Sequence, residues 1–109
     1  MSMALTQTLR AIADPTRRAI LEQLRERELS VGELQSSFRI SQPAVSRHLG
    51  VLRKARLVRR RRRGRSNFYA LTAAPIAEIV DWASRYNAFW DERLTALGQV
   101  LDEEKGKGR

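Results

Sequence analysis

The sequence predicts a mainly α domain of about five helices, with a helix-turn-helix followed by a two-stranded β-hairpin, and three observations predict it. Apolar residues recur at helical spacing along most of the chain and alternate only around Phe68 to Leu71. Helix-start residues stand at Asp14-Pro15, Ser30 and Ser41. A surplus of basic residues, part of a net charge of +9, is confined to one stretch. With 109 residues there is room for one domain with one modest core.

Leu5, Leu9 and Ile12 stand at i, i+4, i+7 and make a short amphipathic first helix. Asp14 is an N-cap with Pro15 at the first helical position, opening a helix that turns Ile20, Leu21 and Leu24 inward. Ser30 and Glu33 have the spacing of a capping box; the short helix behind them contributes Leu34 and Phe38 to the core. A turn centred on Arg39 and Ile40 leads to Ser41, the N-cap of a helix reaching about Ala55. Pro43 falls in its first turn, where the missing N–H is no loss. Val45, Leu49 and Leu52 line one face of this helix. At 100° per residue, Pro43, Arg47, Gly50 and Lys54 lie opposite, with Gln42 and Ser46 on one flank and His48 on the other. Beyond Leu57-Val58, Tyr69 and Leu71 alternate with Phe68 and Ala70, and Gly64 marks a turn at a basic tip. Helical spacing then returns from about Pro75 to Glu104, carried by Ile76, Ile79, Ala83, Tyr86, Trp90, Leu94, Leu97 and Leu101.

Between Leu34 and Ala77 there is no Asp or Glu, and eleven Lys and Arg; the remainder holds ten basic and twelve acidic residues. A basic surplus so confined describes one basic surface on a balanced protein, the footprint of a polyanion binder. There is no cysteine, hence no disulfide and no thiolate metal ligand, and the lone His48 cannot build a multi-histidine site within a single chain. No second histidine, cysteine nucleophile or glycine-rich phosphate loop supports catalysis, so neither enzyme activity nor a cofactor is expected. No apolar run approaches the ~20 residues of a membrane span, and no signal-peptide apolar region is present; a cytoplasmic protein without membrane contact is expected.

A short helix joined by a tight turn to a second, basic on one side and apolar on the other, is what a DNA-reading helix-turn-helix needs. The element order resembles the ArsR (arsenic-repressor) family of winged helix-turn-helix regulators over roughly Leu9 to Leu101. Three segments carry the resemblance: ADPTRRAILEQL (Ala13 to Leu24), ISQPAVSRHLGVLRKARLV (Ile40 to Val58) and GRSNFYAL (Gly64 to Leu71). It implies a homodimer formed by the terminal helices, binding double-stranded DNA at a palindromic operator, usually to repress transcription. Metal-sensing members carry two cysteines at the start of the third helix. In ELSVGEL (Glu28 to Leu34), Ser30 and Gly32 stand there instead, and no histidine follows His48. Metal sensing is therefore not expected, because a soft metal needs sulfur ligands. Arg56 stands where the family commonly ends its recognition helix with glycine.

The expected layout is a single domain over 1–104, with dimerisation by 4–13 and 75–102, DNA reading by 30–72, and a flexible basic tail at 105–109. Candidate DNA contacts are Gln42, Pro43, Ser46, Arg47, His48, Arg53 and Lys54 on the second helix, and Arg61, Arg63 and Arg65 on the hairpin. Gln suits adenine N6/N7 and Arg suits guanine O6/N7, whereas Ser serves either. His48 is as readily a packed histidine bonded to backbone. Thr16, Arg17 and Arg18 are either phosphate donors or capping and surface residues. Candidate dimer residues are Leu5, Leu9, Ile79, Trp82, Ala83, Tyr86, Trp90, Leu94, Leu97 and Leu101. The aromatic group Trp82, Tyr86, Phe89 and Trp90 could alternatively line a ligand pocket, although the sequence specifies no inducing ligand. Two other functions stay open at this point: non-specific binding of RNA or architectural binding of DNA, and a protein-interaction module. The polar and basic outer face of the 41–55 helix favours specific DNA over both.

Overall fold

The computed structural model describes residues 2–107, and their side chains over 2–101. Its elements run α1 (Met3–Ile12), α2 (Pro15–Leu24), β1 (Leu29–Ser30), α3 (Val31–Phe38), α4 (Gln42–Lys54), β2 (Val58–Arg63), β3 (Ser66–Leu71), α5 (Ala74–Ser84) and α6 (Asn87–Lys107). Each of the first four helices starts on an oxygen-bearing side chain that satisfies an orphan backbone donor. Ser2 Oγ accepts from the Leu5 N–H at 3.0 Å, and Asp14 Oδ2 from the Arg17 N–H at 3.0 Å. Ser30 and Glu33 close a reciprocal capping box at 3.0 and 3.1 Å. Ser41 Oγ accepts from the Ala44 N–H at 3.2 Å.

Two of these caps are carboxylates, and both are held below their ordinary pKa. The Arg17 N–H is the main cause for Asp14, and the Ser30 N–H for Glu33. A depressed carboxylate contributes stability above its ordinary titration range, which is lost as pH falls through the lowered value.

The core gathers the inward faces anticipated from periodicity. Ile20, Leu34, Val45, Leu49, Leu52 and Leu57 are almost wholly removed from water, with Leu21, Leu24, Leu29, Val58 and Tyr69 packed around them. The sheet has three strands, in the order β1-β3-β2, rather than the two of a simple hairpin. Leu29 pairs with Tyr69 and Ser30 with Phe68, so the residues leading into α3 are stitched to the wing. Ser30 therefore serves at once as strand residue and helix cap. A two-residue strand leaves no periodic trace in a sequence.

The helix α4 ends on Ala55, and the chain turns through Arg56 in the left-handed region at φ 62°. The Leu57 N–H reaches the Leu52 carbonyl at 2.9 Å and the Arg56 N–H the Arg53 carbonyl at 3.0 Å. These are the two bonds of a Schellman motif, with buried Leu52 and Leu57 as its apolar contact. Arg56 thus occupies a glycine position. Arg56→Gly is expected to stabilise the fold by about 0.5–1 kcal/mol, the relief of left-handed strain less the added chain entropy of glycine. Urea unfolding of the two proteins measures it; an unchanged or lower midpoint contradicts the expectation.

One sequence expectation is corrected toward the C-terminus. The single helix expected from Pro75 to Glu104 is broken, giving six helices among the described residues. The Arg85 and Tyr86 N–H groups bond to the Trp82 and Ala83 carbonyls in tight three-residue steps, and the Ser84 hydroxyl donates to the Asp81 carbonyl at 2.6 Å. Such local pairing competes with the helical ladder and ends α5 there. The chain falls into two compact units, Met1–Ile79 and Val80–Arg109. Among the described residues, the buried core lies in the first, and in the second the apolar side chains of α6 are largely exposed. The backbone of α6 runs to Lys107, and the last two residues of the expected 105–109 tail, 108–109, lie outside the described residues.

Candidate DNA-reading surface

The α3-turn-α4 unit presents one helix face outward. Arg39 ends α3 in the left-handed conformation at φ 55°, its N–H bonding the Gln35 carbonyl at 2.9 Å. The chain therefore reverses within three residues into the Ser41 cap. Burial of Val45, Leu49 and Leu52 then fixes the rotation of α4. Gln42, Pro43, Ser46, Arg47, Arg53 and Lys54 are all exposed as a consequence. None of the three basic residues has a carboxylate within ion-pair distance among the described residues. They are available to an external anion.

His48 is drawn the other way. Its side chain is only 18% exposed, with Nδ1 3.9 Å from Asp14 Oδ2 and 3.5 Å from an Arg17 nitrogen. It faces the α2 cap rather than the outward surface, because its position on α4 flanks the buried stripe. Arg17 and Arg18 are likewise committed to structure. The Arg17 guanidinium donates to the Ala11 and Arg10 carbonyls at 2.6 and 3.2 Å, and Arg18 to those of Ile12 and Ala13 at 2.7 and 3.0 Å. The two side chains satisfy the carbonyls at the end of α1, the capping alternative to phosphate donation.

The wing is the β2–β3 hairpin, in register from Val58 opposite Leu71 to Arg63 opposite Ser66. Gly64 and Arg65 form its two-residue loop, with a positive φ at Gly64 (61°) and not at Arg65, the φ pattern of a type II′ turn. Glycine takes the position that would strain any other residue, and Arg65 is left exposed at the tip. Strand alternation places Arg59, Arg61 and Arg63 on one face and Arg60 and Arg62 on the other. Arg62 bonds back to the Gly64 carbonyl at 3.1 Å. Arg61 and Arg63 converge on a single carboxylate, Glu28 Oε2, at 3.4 and 3.8 Å, and Arg63 also lies 5.3 Å from the Phe68 ring centre.

Sequence reasoning missed Glu28. The glutamate lies more than thirty residues from its partners and follows no periodic signal; only the pairing of β1 with β3 brings it onto the arginine face. Among the described residues, no group of three or more His, Asp or Glu side chains is arranged to hold a metal ion.

Of the candidate dimer residues, Leu5 is already buried within its own unit and Leu9 is half-buried. Leu5 thus has little surface left for a partner, because α1 packs its apolar face inward. Ile79, the last residue of the first unit, is half-buried; in the second unit Trp82 is half-buried and Ala83 exposed, while Tyr86, Trp90, Leu94, Leu97 and Leu101 are each about half exposed or more. Val80, Phe89 and Val100, not among the candidates, are exposed with them. Ring pairs Trp82–Tyr86 and Phe89–Trp90 meet edge-on, with centroids 5.7 and 5.3 Å apart. One pair joins the end of α5 to the residues after it, and the other lies within α6.

Comparison with known proteins accords with this architecture. Residues 14–60 match the family described as "Bacterial regulatory protein, arsR family". The chain is 43% identical over 94 residues to the HTH-type transcriptional regulator Rv2034 of Mycobacterium tuberculosis, covering 86% of this chain and 85% of the relative. It is 32% identical over 78 residues to the transcriptional repressor SdpR of Bacillus subtilis, covering 72% and 87%. An ArsR-like transcriptional regulator from Rhodococcus sp. RHA1 has a similar solved structure, with TM-score 0.70 and 30% identity over 89% of this chain and 92% of that one.

Proposed function

Because the chain belongs to the arsR family of bacterial regulatory proteins, and so is a DNA-binding transcription regulator rather than an enzyme, we propose that it represses transcription by reading a palindromic operator as a homodimer. The observation that carries the reading is the exposed face of α4, where Gln42, Ser46 and Arg47 are presented with Arg53 and Lys54 and no carboxylate among the described residues answers the charge. In this reading Arg47, Gln42 and Ser46 contact base edges in the major groove. Arg53 and Lys54 meet phosphates, and the wing, led by Arg65, reaches phosphate or minor groove. His48 orients α4 against the α2 cap instead of touching DNA.

Dimerisation is supported by the number of large apolar and aromatic residues left exposed between Val80 and Leu101, more than a protein of this size ordinarily leaves in water. A two-fold dimer presents two reading helices to two half-sites, which is why the operator is read as an inverted repeat. The repressing role is supported by SdpR, a named repressor. No helix among the described residues is long and apolar enough to cross a membrane, in keeping with action on DNA in the cytoplasm.

Selection of duplexes from a random pool tests the reading. It is expected to recover an inverted repeat whose half-site centres lie about one helical turn, or a multiple of it, apart. Recovery of unrelated duplexes with equal affinity would reduce the protein to a general polyanion binder.

A further inference from the structure

We propose that Glu28 is a positioning residue for DNA binding: its carboxylate acts as an internal counter-charge that restrains Arg61 and Arg63 and limits the affinity of the wing for DNA of any sequence. The inference rests on the reading that these wing arginines approach DNA.

Five consecutive arginines on one short strand repel one another, and residues two apart share a face. No Asp or Glu occurs between Leu34 and Ala77, so the wing cannot supply its own counter-charge. It is supplied from outside the hairpin. Glu28 directly precedes β1, and β1 is bonded to β3, which in turn pairs with β2. Alternation along these strands puts Glu28 on the same face as Phe68, Arg61 and Arg63. One oxygen, Oε2, faces both guanidinium groups, at 3.4 and 3.8 Å. The neighbouring acid, Glu33, is engaged elsewhere, with Arg27 and the Ser30 cap.

The arginines keep more than half of their side-chain surface, 56% and 58%, whereas Glu28 keeps 24%. The carboxylate is the more enclosed partner and the guanidinium groups are the reachable ones. A phosphate that takes either arginine therefore competes with a carboxylate already in place. It also leaves Glu28 close to the phosphate backbone, where it retains a cation and offsets part of the counterion release that drives binding. The pairs are solvent-screened, so each is worth a modest factor. Glu28 tunes binding and does not decide it.

The experiment is a salt titration of the full chain on a fixed random-sequence duplex, which needs no knowledge of the operator. Glu28→Gln keeps the shape and removes the charge. It is expected to tighten binding by roughly three- to tenfold per protomer and to steepen the salt slope by about one unit. In an Arg61→Ala/Arg63→Ala background the same substitution is expected to change little. Unchanged or weaker binding by E28Q would show a strut rather than a counter-charge, and would overturn the proposal. So would an equal gain in the double-alanine background, since the carboxylate would then act as bulk charge. If the double-alanine variant itself bound like the parent, the wing-contact reading would fall together with the proposal. If E28Q tightened DNA in the parent but the α4 variants of the Discussion left specificity unchanged, only the operator reading would fall. Glu28→Asp, which keeps the charge but withdraws it from the arginines, gives a second measure should E28Q unfold; binding no tighter than the parent overturns the proposal there too.

Discussion

Replacing Trp90 or Leu97 with glutamate is expected to yield monomers or aggregates that no longer bind the operator. Both side chains are 54% exposed within the chain, on a helix whose apolar residues have no other cover in their own unit. In a two-fold interface each substitution is made twice. Burying a fully exposed large apolar side chain contributes about 1.5–3 kcal/mol; about half of each is still exposed here, so two lost copies cost on the order of 1.5–3 kcal/mol before any carboxylate is desolvated. Every 1.4 kcal/mol is tenfold in the dissociation constant, so the lost burial alone weakens the dimer by roughly ten- to a hundredfold. Loss of the dimer separates the two reading helices, and each half-site contact must then form alone. Sedimentation velocity at micromolar concentration measures the first effect and operator titration the second. A wild-type protein that sediments as a stable, well-folded monomer would remove the basis for both. The buried Thr8 provides no comparable test, because it lies within the first unit and its hydroxyl already bonds the Ala4 carbonyl at 2.9 Å.

Arg47→Ala and Arg65→Ala are expected to fail in different ways. Arg47 projects from the exposed face of α4, where a bidentate contact to guanine O6/N7 is worth about 1–3 kcal/mol of discrimination. Its loss should relax sequence preference at one position in each half-site, and in a dimer the change appears symmetrically. Arg65 stands at the wing tip beyond the left-handed Gly64, in reach of phosphates or a narrow minor groove. Its loss should weaken operator and random duplex by similar factors and lower the salt slope by about one unit per phosphate contact removed. Binding selections and salt titrations on both variants separate the two. If Arg47→Ala weakened specific and random DNA equally, α4 would not be the reading head, and general polyanion binding would become the better account.

Much of this was legible because it depends on local chemistry. Asp14-Pro15, Ser30 with Glu33, and Ser41 mark helix starts by bonds that span three residues, so a sequence displays them directly. Val45, Leu49 and Leu52 reveal which side of α4 is buried, and with it which side is left outward, because helical geometry ties one to the other. The confinement of the basic surplus to residues 35–76 points to a polyanion partner whatever the detailed fold.

Tertiary structure decided what depends on residues far apart in the chain. The side chain of His48 lies beside Asp14 and Arg17, more than thirty residues away, and only the packing of α2 against α4 brings them together. Arg17 and Arg18 read as phosphate donors as well as caps until the end of α1 is placed beside them and takes their hydrogen bonds. Glu28 is one charge among twelve acidic residues until β1 pairs with β3 and sets it against Arg61 and Arg63. Arg56 accepts a glycine's conformation because Leu52 and Leu57 are buried on either side of it, and that burial outweighs a strain of order 1 kcal/mol. Caps, faces and charge are short-range or compositional and so belong to the sequence; orientation and pairing of charged side chains are settled only when the chain brings distant partners together.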